Sequence, residues 1–182
     1  MAEAATMGWI VGLAYAAVHG PLVAAPAWSR RMLTAFPRNV WAGRILAAIA
    51  MAWSARLLRD LGLGWFDPYK DWVYVAGPVT YFLIILFMDE LLSARALGGL
   101  FLLMAEPVLE SVRLCESQWR LLPLLLAYGW VLIGVVLMLS PYRFRKTMSV
   151  LCASDAGCRW FGVSGLILGL VLIALAMTSF AA

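Results

Sequence analysis

Residues 119–140 read WRLLPLLLAYGWVLIGVVLMLS, a run in which Arg120 is the only charged side chain. A bilayer matches it: about 20 apolar residues at about 1.5 Å each cover a hydrocarbon core about 30 Å thick. Five more stretches of this kind flank it, at 7–25, 42–61, 72–88, 97–112 and 160–180. The chain as a whole is 64% hydrophobic and 13% charged, with a mean hydropathy of +0.90. Soluble domains run at about 45–50% apolar and about 25% charged, so that class is excluded. Disorder, collagen-like repeats and disulfide scaffolds are excluded by the same composition. The expected fold is an all-α polytopic bundle of six transmembrane helices forming one integral membrane domain over 1–182. Stretch 97–112 carries Glu106, Pro107 and Glu110, so it reads either as a crossing or as a short, kinked or re-entrant segment.

Basic residues near span ends set orientation, because they stay on the cytoplasmic side. Eight of the fourteen lie at two places: Arg30, Arg31, Arg38 and Arg44, and then Arg143, Arg145, Lys146 and Arg159. Both places must face the cytoplasm, which requires an even number of crossings between them. Stretches two to five supply four, and this parity favours 97–112 as a crossing. Both termini are then expected outside. The segment 89–96 dissents mildly, since Asp89 and Glu90 outweigh Arg95, but acidic residues count little under this rule. No Lys or Arg precedes the first apolar run, which reads as a retained anchor rather than a cleavable signal peptide. The net charge of +4 is accounted for by the connectors and implies no nucleic-acid partner. Trp28, Trp41, Trp65, Trp72, Trp119 and Trp160, with Tyr69 and Tyr142, fall at span ends, where indole and phenol rings settle among headgroups.

The two basic connectors echo each other. Each has a proline (Pro26, Pro141), three residues, a basic pair (Arg30-Arg31, Arg145-Lys146) and an aromatic opening to the next helix (Trp41-Ala42-Gly43, Trp160-Phe161-Gly162). Trp28, Met32, Leu33 and Phe36 recur at helical spacing, as do Phe144, Met148, Leu151 and Cys152. Each set predicts a short amphipathic helix lying in the interface, with its basic residues at phosphate level. Arg30, Arg31, Arg38, Arg143, Arg145 and Lys146 are therefore expected to meet anionic headgroups or a partner's acidic edge. The echo reads either as duplication of a hairpin (7–61 and 119–180) about an axis along the membrane normal, or as features common to membrane proteins. The hairpin with Pro141, Arg145, Arg159-Trp160-Phe161-Gly162 and a Gly-rich apolar tail resembles a family of small two-helix bacterial inner-membrane proteins of unknown function. The resemblance covers about forty residues; it implies a bacterial inner membrane and brings no activity or site.

Three residues are candidates for chemistry. His19, the only histidine, sits in His19-Gly20-Pro21, where a loosened helix could line a binding site or one imidazole ligate a cofactor. The alternative is a neutral histidine bonded to a neighbouring helix. Glu106 and Glu110, at i and i+4, share a helix face, and two acids in low dielectric raise each other's proton affinity. They suit a proton relay or cation site. The alternative makes Glu110 and Arg113 an interfacial ion pair and has Glu106 satisfied by Arg44, Arg56 or His19. Arg56, Arg59 and Asp60 read as solvated or headgroup contacts. Cys152 and Cys158 lack the ligand number and spacing of a zinc site, and Cys115 has no outer partner. Phosphate-loop, nucleophile-elbow and haem-attachment motifs are absent, so neither metal nor cofactor is expected. Small residues at Gly8 and Gly12, Ala48 and Ala52, and Gly162, Gly165 and Gly169 predict close helix packing, within the chain or against other subunits. The leading expectation is a non-catalytic scaffold, accessory or assembly subunit of a larger bacterial membrane complex. A small proton- or cation-coupled transporter using Glu106, Glu110 and His19 is the second reading, and a membrane enzyme acting on lipid the third.

Overall fold

A computed structural model describes residues 2–62, 64–88, 91–113, 115 and 117–180. It is all-α and 91% helical, with no strands among the described residues. Eight α-helices follow in order: α1 (Ala2–Ala24), α2 (Pro26–Ala35), α3 (Val40–Asp60), α4 (Val73–Phe87), α5 (Leu92–Arg113), α6 (Leu121–Leu139), α7 (Tyr142–Leu151) and α8 (Asp155–Thr178). Short 3-10 turns precede α3, α4 and α6.

Five segments are long and apolar enough to cross a membrane: Glu3–Ala24, Asp67–Phe87, Leu92–Arg113, Gln118–Leu139 and Asp155–Thr178. The sixth expected stretch, 42–61, is the 21-residue helix α3, which is absent from this set because Arg44, Arg56, Arg59 and Asp60 dilute its apolar run. Stretch 97–112 is not short. It lies within a continuous 22-residue helix that runs through Pro107.

Local chemistry explains the corners. A residue before proline is pushed out of the helical region by the proline ring. Ala25 before Pro26 has φ −135°, ψ 65°, and Ser140 before Pro141 has φ −137°, ψ 67°. The two corners thus have the same backbone geometry, and each opens a ten-residue helix. The exits also correspond: Asn39 Oδ1 accepts from the Ala42 amide (3.1 Å) to cap α3, and Ser154 Oγ accepts from the Gly157 amide (3.1 Å) to cap α8. A side-chain acceptor at this position satisfies a first-turn N–H that has no partner within its helix.

Packing follows small residues. A Cβ on Gly8 would meet Ala176, one on Gly12 the Gly169 carbonyl, and one on Gly162 Leu22, so α1 and α8 run antiparallel along the predicted glycine seam. A second seam joins α5 and α6 through Gly98 and Gly134, each facing the other's carbonyl oxygen. Helix α3 runs parallel to α5, with Gly43 against Ser93 and Ala47 clustered with Leu92 and Ala96. The predicted small face Ala48 and Ala52 is exposed instead, because α3 turns Gly43 and Ala47 to its neighbour. Helix α4 lies against α3 and has no buried residue. The central core gathers Val11, Ala105, Val108, Ala127, Trp130 and Leu172. Neither echoing hairpin packs on itself: α1 pairs with α8, while α5 stands between α3 and α6.

Candidate functional site

His19 belongs to an aromatic ladder through four helices. Its ring stacks on Tyr15 (5.1 Å, 7°) and tilts against Phe161 (5.4 Å). Tyr15 in turn stacks on Trp130 (6.2 Å), which meets Phe101 (6.3 Å). The Trp130 indole donates its Nε1–H to the Tyr15 hydroxyl at 3.0 Å. His19 Nδ1 lies 3.0 Å from the Tyr15 carbonyl oxygen. A carbonyl can only accept, so Nδ1 carries the proton. The partner is thus a backbone group of His19's own helix, not the neighbouring helix expected. A Cβ on Gly165 would overlap Cγ, Cδ2 and Nε2 of the imidazole, so the α8 backbone covers the edge that a cofactor would need. The sequence flagged Gly165 as a packing residue without linking it to His19. Trp130, away from any span end, was the available signal for the ladder.

The two glutamates lie on the exposed side of α5, opposite buried Ala105 and Val108. Glu110 Oε1 pairs with Arg113 Nη2 at 2.9 Å, as one reading expected. Glu106 makes no hydrogen bond or ion pair among the described residues. Its three candidate partners are engaged elsewhere: Arg56 lies 3.9 Å from Asp60, Arg44 sits over the Trp41 ring at 5.7 Å, and His19 bonds to Tyr15. At about 1.5 Å per residue, Glu106 is about 21 Å from the start of α5 and about 10 Å from its end, well inside the span. No contact joins His19 to either glutamate among the described residues.

The two connectors meet. Phe36 and Phe144 are 5.7 Å apart, and Arg30 reaches Asp155 (3.4 Å) and the Ala153 carbonyl (3.5 Å). This gathers Arg30, Arg31, Arg38, Arg143, Arg145 and Lys146 at one end of the bundle. All six are exposed, so each surface ion pair there contributes at most about 1 kcal/mol. Asp89, Glu90 and Glu116 lie outside the described residues.

Cys152 and Cys158 are buried together against Leu22, while Cys115 is buried in a separate cluster. Burial pushes the Cys152 thiol up to about 12; the adjacent Cys158 thiol adds to the rise and the Arg30 charge opposes it. A thiol raised on folding stabilises the fold fully below its ordinary value near 9. That contribution is lost as pH rises through the window from about 9 to about 12, because the unfolded chain releases the proton first. Detergent-unfolding midpoints should therefore fall more steeply with pH for the wild type than for Cys152→Ala across that window. Maleimide should leave folded Cys152 unlabelled at pH 8.

Comparison of the chain with protein-family models, curated proteins and solved structures finds no match.

Proposed function

We propose that this chain is a six-span, non-catalytic subunit of a larger bacterial inner-membrane complex, with its connectors cytoplasmic and both termini outside. Helix α3 starts parallel to α5, packed through Gly43 and Ala47, and is 21 residues long, which supports counting it as the sixth crossing. The contact between α2 and α7 supports a common side for the two basic connectors. There they serve as interfacial helices, holding guanidinium and ammonium groups at the phosphate level of anionic lipids.

One observation carries the subunit reading: Glu106 stands deep in a span, faces out of the bundle, and has no partner in its own chain among the described residues. An ionisable group in hydrocarbon is costly unless something pairs with it. A partner helix bearing a cation or a donor at the same depth would supply that group from outside the chain. The unburied α4 offers further surface for such contact. A relay through His19 loses support, since the imidazole bonds to its own helix and does not meet the acids.

Blue-native electrophoresis after gentle solubilisation tests this. The wild type should run well above the 20.0 kDa monomer with a co-purifying partner. Removing one side of a buried charge pair destabilises by about 3–5 kcal/mol, so Glu106→Lys should shift the band to monomer mass while far-UV circular dichroism stays unchanged. A wild type that runs only as a monomer would overturn the proposal.

A further inference from the structure

A cavity of about 310 Å3 opens where the first connector, the start of α5 and the start of α7 converge. Its polar lining is Arg38, Asn39 and Arg145; Val40 and Leu92 supply apolar wall. The two arginines come from different connectors, 107 positions apart in the chain, and neither makes an ion pair among the described residues. Asn39 Oδ1 is committed to the Ala42 amide, so its Nδ2 is the group left to donate. Side-chain N–H donors thus dominate the lining. Two helix starts point the same way: α3 begins at Val40 and α5 at Leu92, and first-turn N–H groups with the positive end of the dipole favour an anion.

Two further observations mark a preformed place. Ser93, buried, donates its hydroxyl to the Phe36 carbonyl at 2.8 Å, which pins the connector to α5 beside the cavity. Leu91, also on the lining, has φ +56°, a left-handed conformation that a leucine rarely adopts. Strain of this kind persists where the surroundings hold it and concentrates at functional sites. No carboxylate lines the cavity among the described residues, and Asp155 at this end is engaged by Arg30. Asp89 and Glu90, which precede Leu91, lie outside the described residues.

We infer that this cavity binds a phosphate-bearing anion, clamped between the Arg38 and Arg145 guanidiniums, whose planar forks match phosphate oxygens bidentately. The volume lies at the small end of the range for ligand pockets, about 300–1,000 Å3, which suits a phosphate with a short substituent and not a nucleotide. The same chemistry is offered by the phosphodiester headgroup of an anionic lipid and by free phosphate. The inference deepens the headgroup reading of the basic connectors proposed above and uses neither Glu106 nor a partner subunit; losses confined to the cavity arginines separate this site from general headgroup attraction.

The test uses the full chain in phosphatidylcholine nanodiscs, titrated with short-chain phosphatidylglycerol and, separately, with inorganic phosphate. Adducts are counted by native mass spectrometry. Arg38→Gln/Arg145→Gln is compared with Arg31→Gln/Arg143→Gln, which removes the same charge from the same connectors outside the cavity. The cavity variant should lose about tenfold in affinity for each guanidinium removed, and the control only a few-fold. Binding of phosphatidylglycerol alone assigns the site to a lipid headgroup, and binding of both assigns it to the free anion as well. Equal losses in the two double variants, or binding of neither probe by the wild type, would overturn the inference.

Discussion

Replacing Trp130 with alanine is expected to lower the stability of the bundle by about 3 kcal/mol, measured as the loss of helical circular dichroism when SDS is titrated into mixed micelles. Trp130 is 3% exposed and touches the core from α6 while bonding to Tyr15 of α1 and meeting Phe101 of α5. Aromatic-to-alanine changes in water-soluble cores cost about 3–5 kcal/mol. The lower end applies here because separated helices remain in lipid, so no apolar surface is exposed to water and what is lost is packing and a hydrogen bond. Trp130→Phe keeps a ring but abolishes the Nε1–H, and should cost about 1 kcal/mol. A double-mutant cycle with Tyr15→Phe isolates the hydrogen bond, because residues in direct contact couple while distant ones add. A Trp130→Ala variant within a few tenths of a kcal/mol of the wild type would show that the ladder does not hold the four helices together.

Gly134→Val should produce a loss of similar size, at the other close seam. A Cβ at Gly134 would stand 2.7 Å from the Gly98 carbonyl oxygen and 2.9 Å from Leu102 Cγ. The carbonyl belongs to a helix and cannot rotate aside, so α5 and α6 must move apart. Overpacking of this kind costs about 1–3 kcal/mol, and valine adds two more methyl groups to the same overlap. Gly99 and Gly129 lie on the same two helices, and a Cβ at either would have nothing within 4 Å. Alanine at either should be neutral or stabilising by up to about 1 kcal/mol, as expected of glycine-to-alanine changes within a helix. SDS unfolding of the three variants separates close approach from helix propensity: equal behaviour of Gly134→Val and Gly129→Ala would deny the seam.

The matched corners at Ala25 and Ser140 bear on the echo between the connectors. A following proline disfavours the helical region at both corners and requires no common ancestry, although Phe36 stays helical before Pro37. The correspondence extends to the side-chain caps Asn39 and Ser154, which proline does not dictate. The packing departs from it, because α1 lies along α8 whereas α6 is kept from α3 by α5. Hairpin duplication therefore remains a proposal, resting on local features.

What could be read from the chain without coordinates was whatever is decided within one or two helical turns. Hydropathy located the long helices, and proline ended two of them. The glycines at positions 8, 12, 162, 165 and 169 announced one seam. The ambiguous stretch 97–112 lies in the continuous helix α5, whereas 42–61, read as a span, is helix α3, whose four charged residues lower its mean hydropathy. Only the packed bundle decided which face each helix turns inward: Ala47 over Ala48, Gly98 against Gly134, Glu106 outward, His19 onto Gly165, and Arg38 beside Arg145. The reason is physical. In lipid every face of such a helix is about equally apolar, so no hydrophobic stripe marks the inner side, and partner choice falls to close packing and a few polar contacts between residues far apart in the chain.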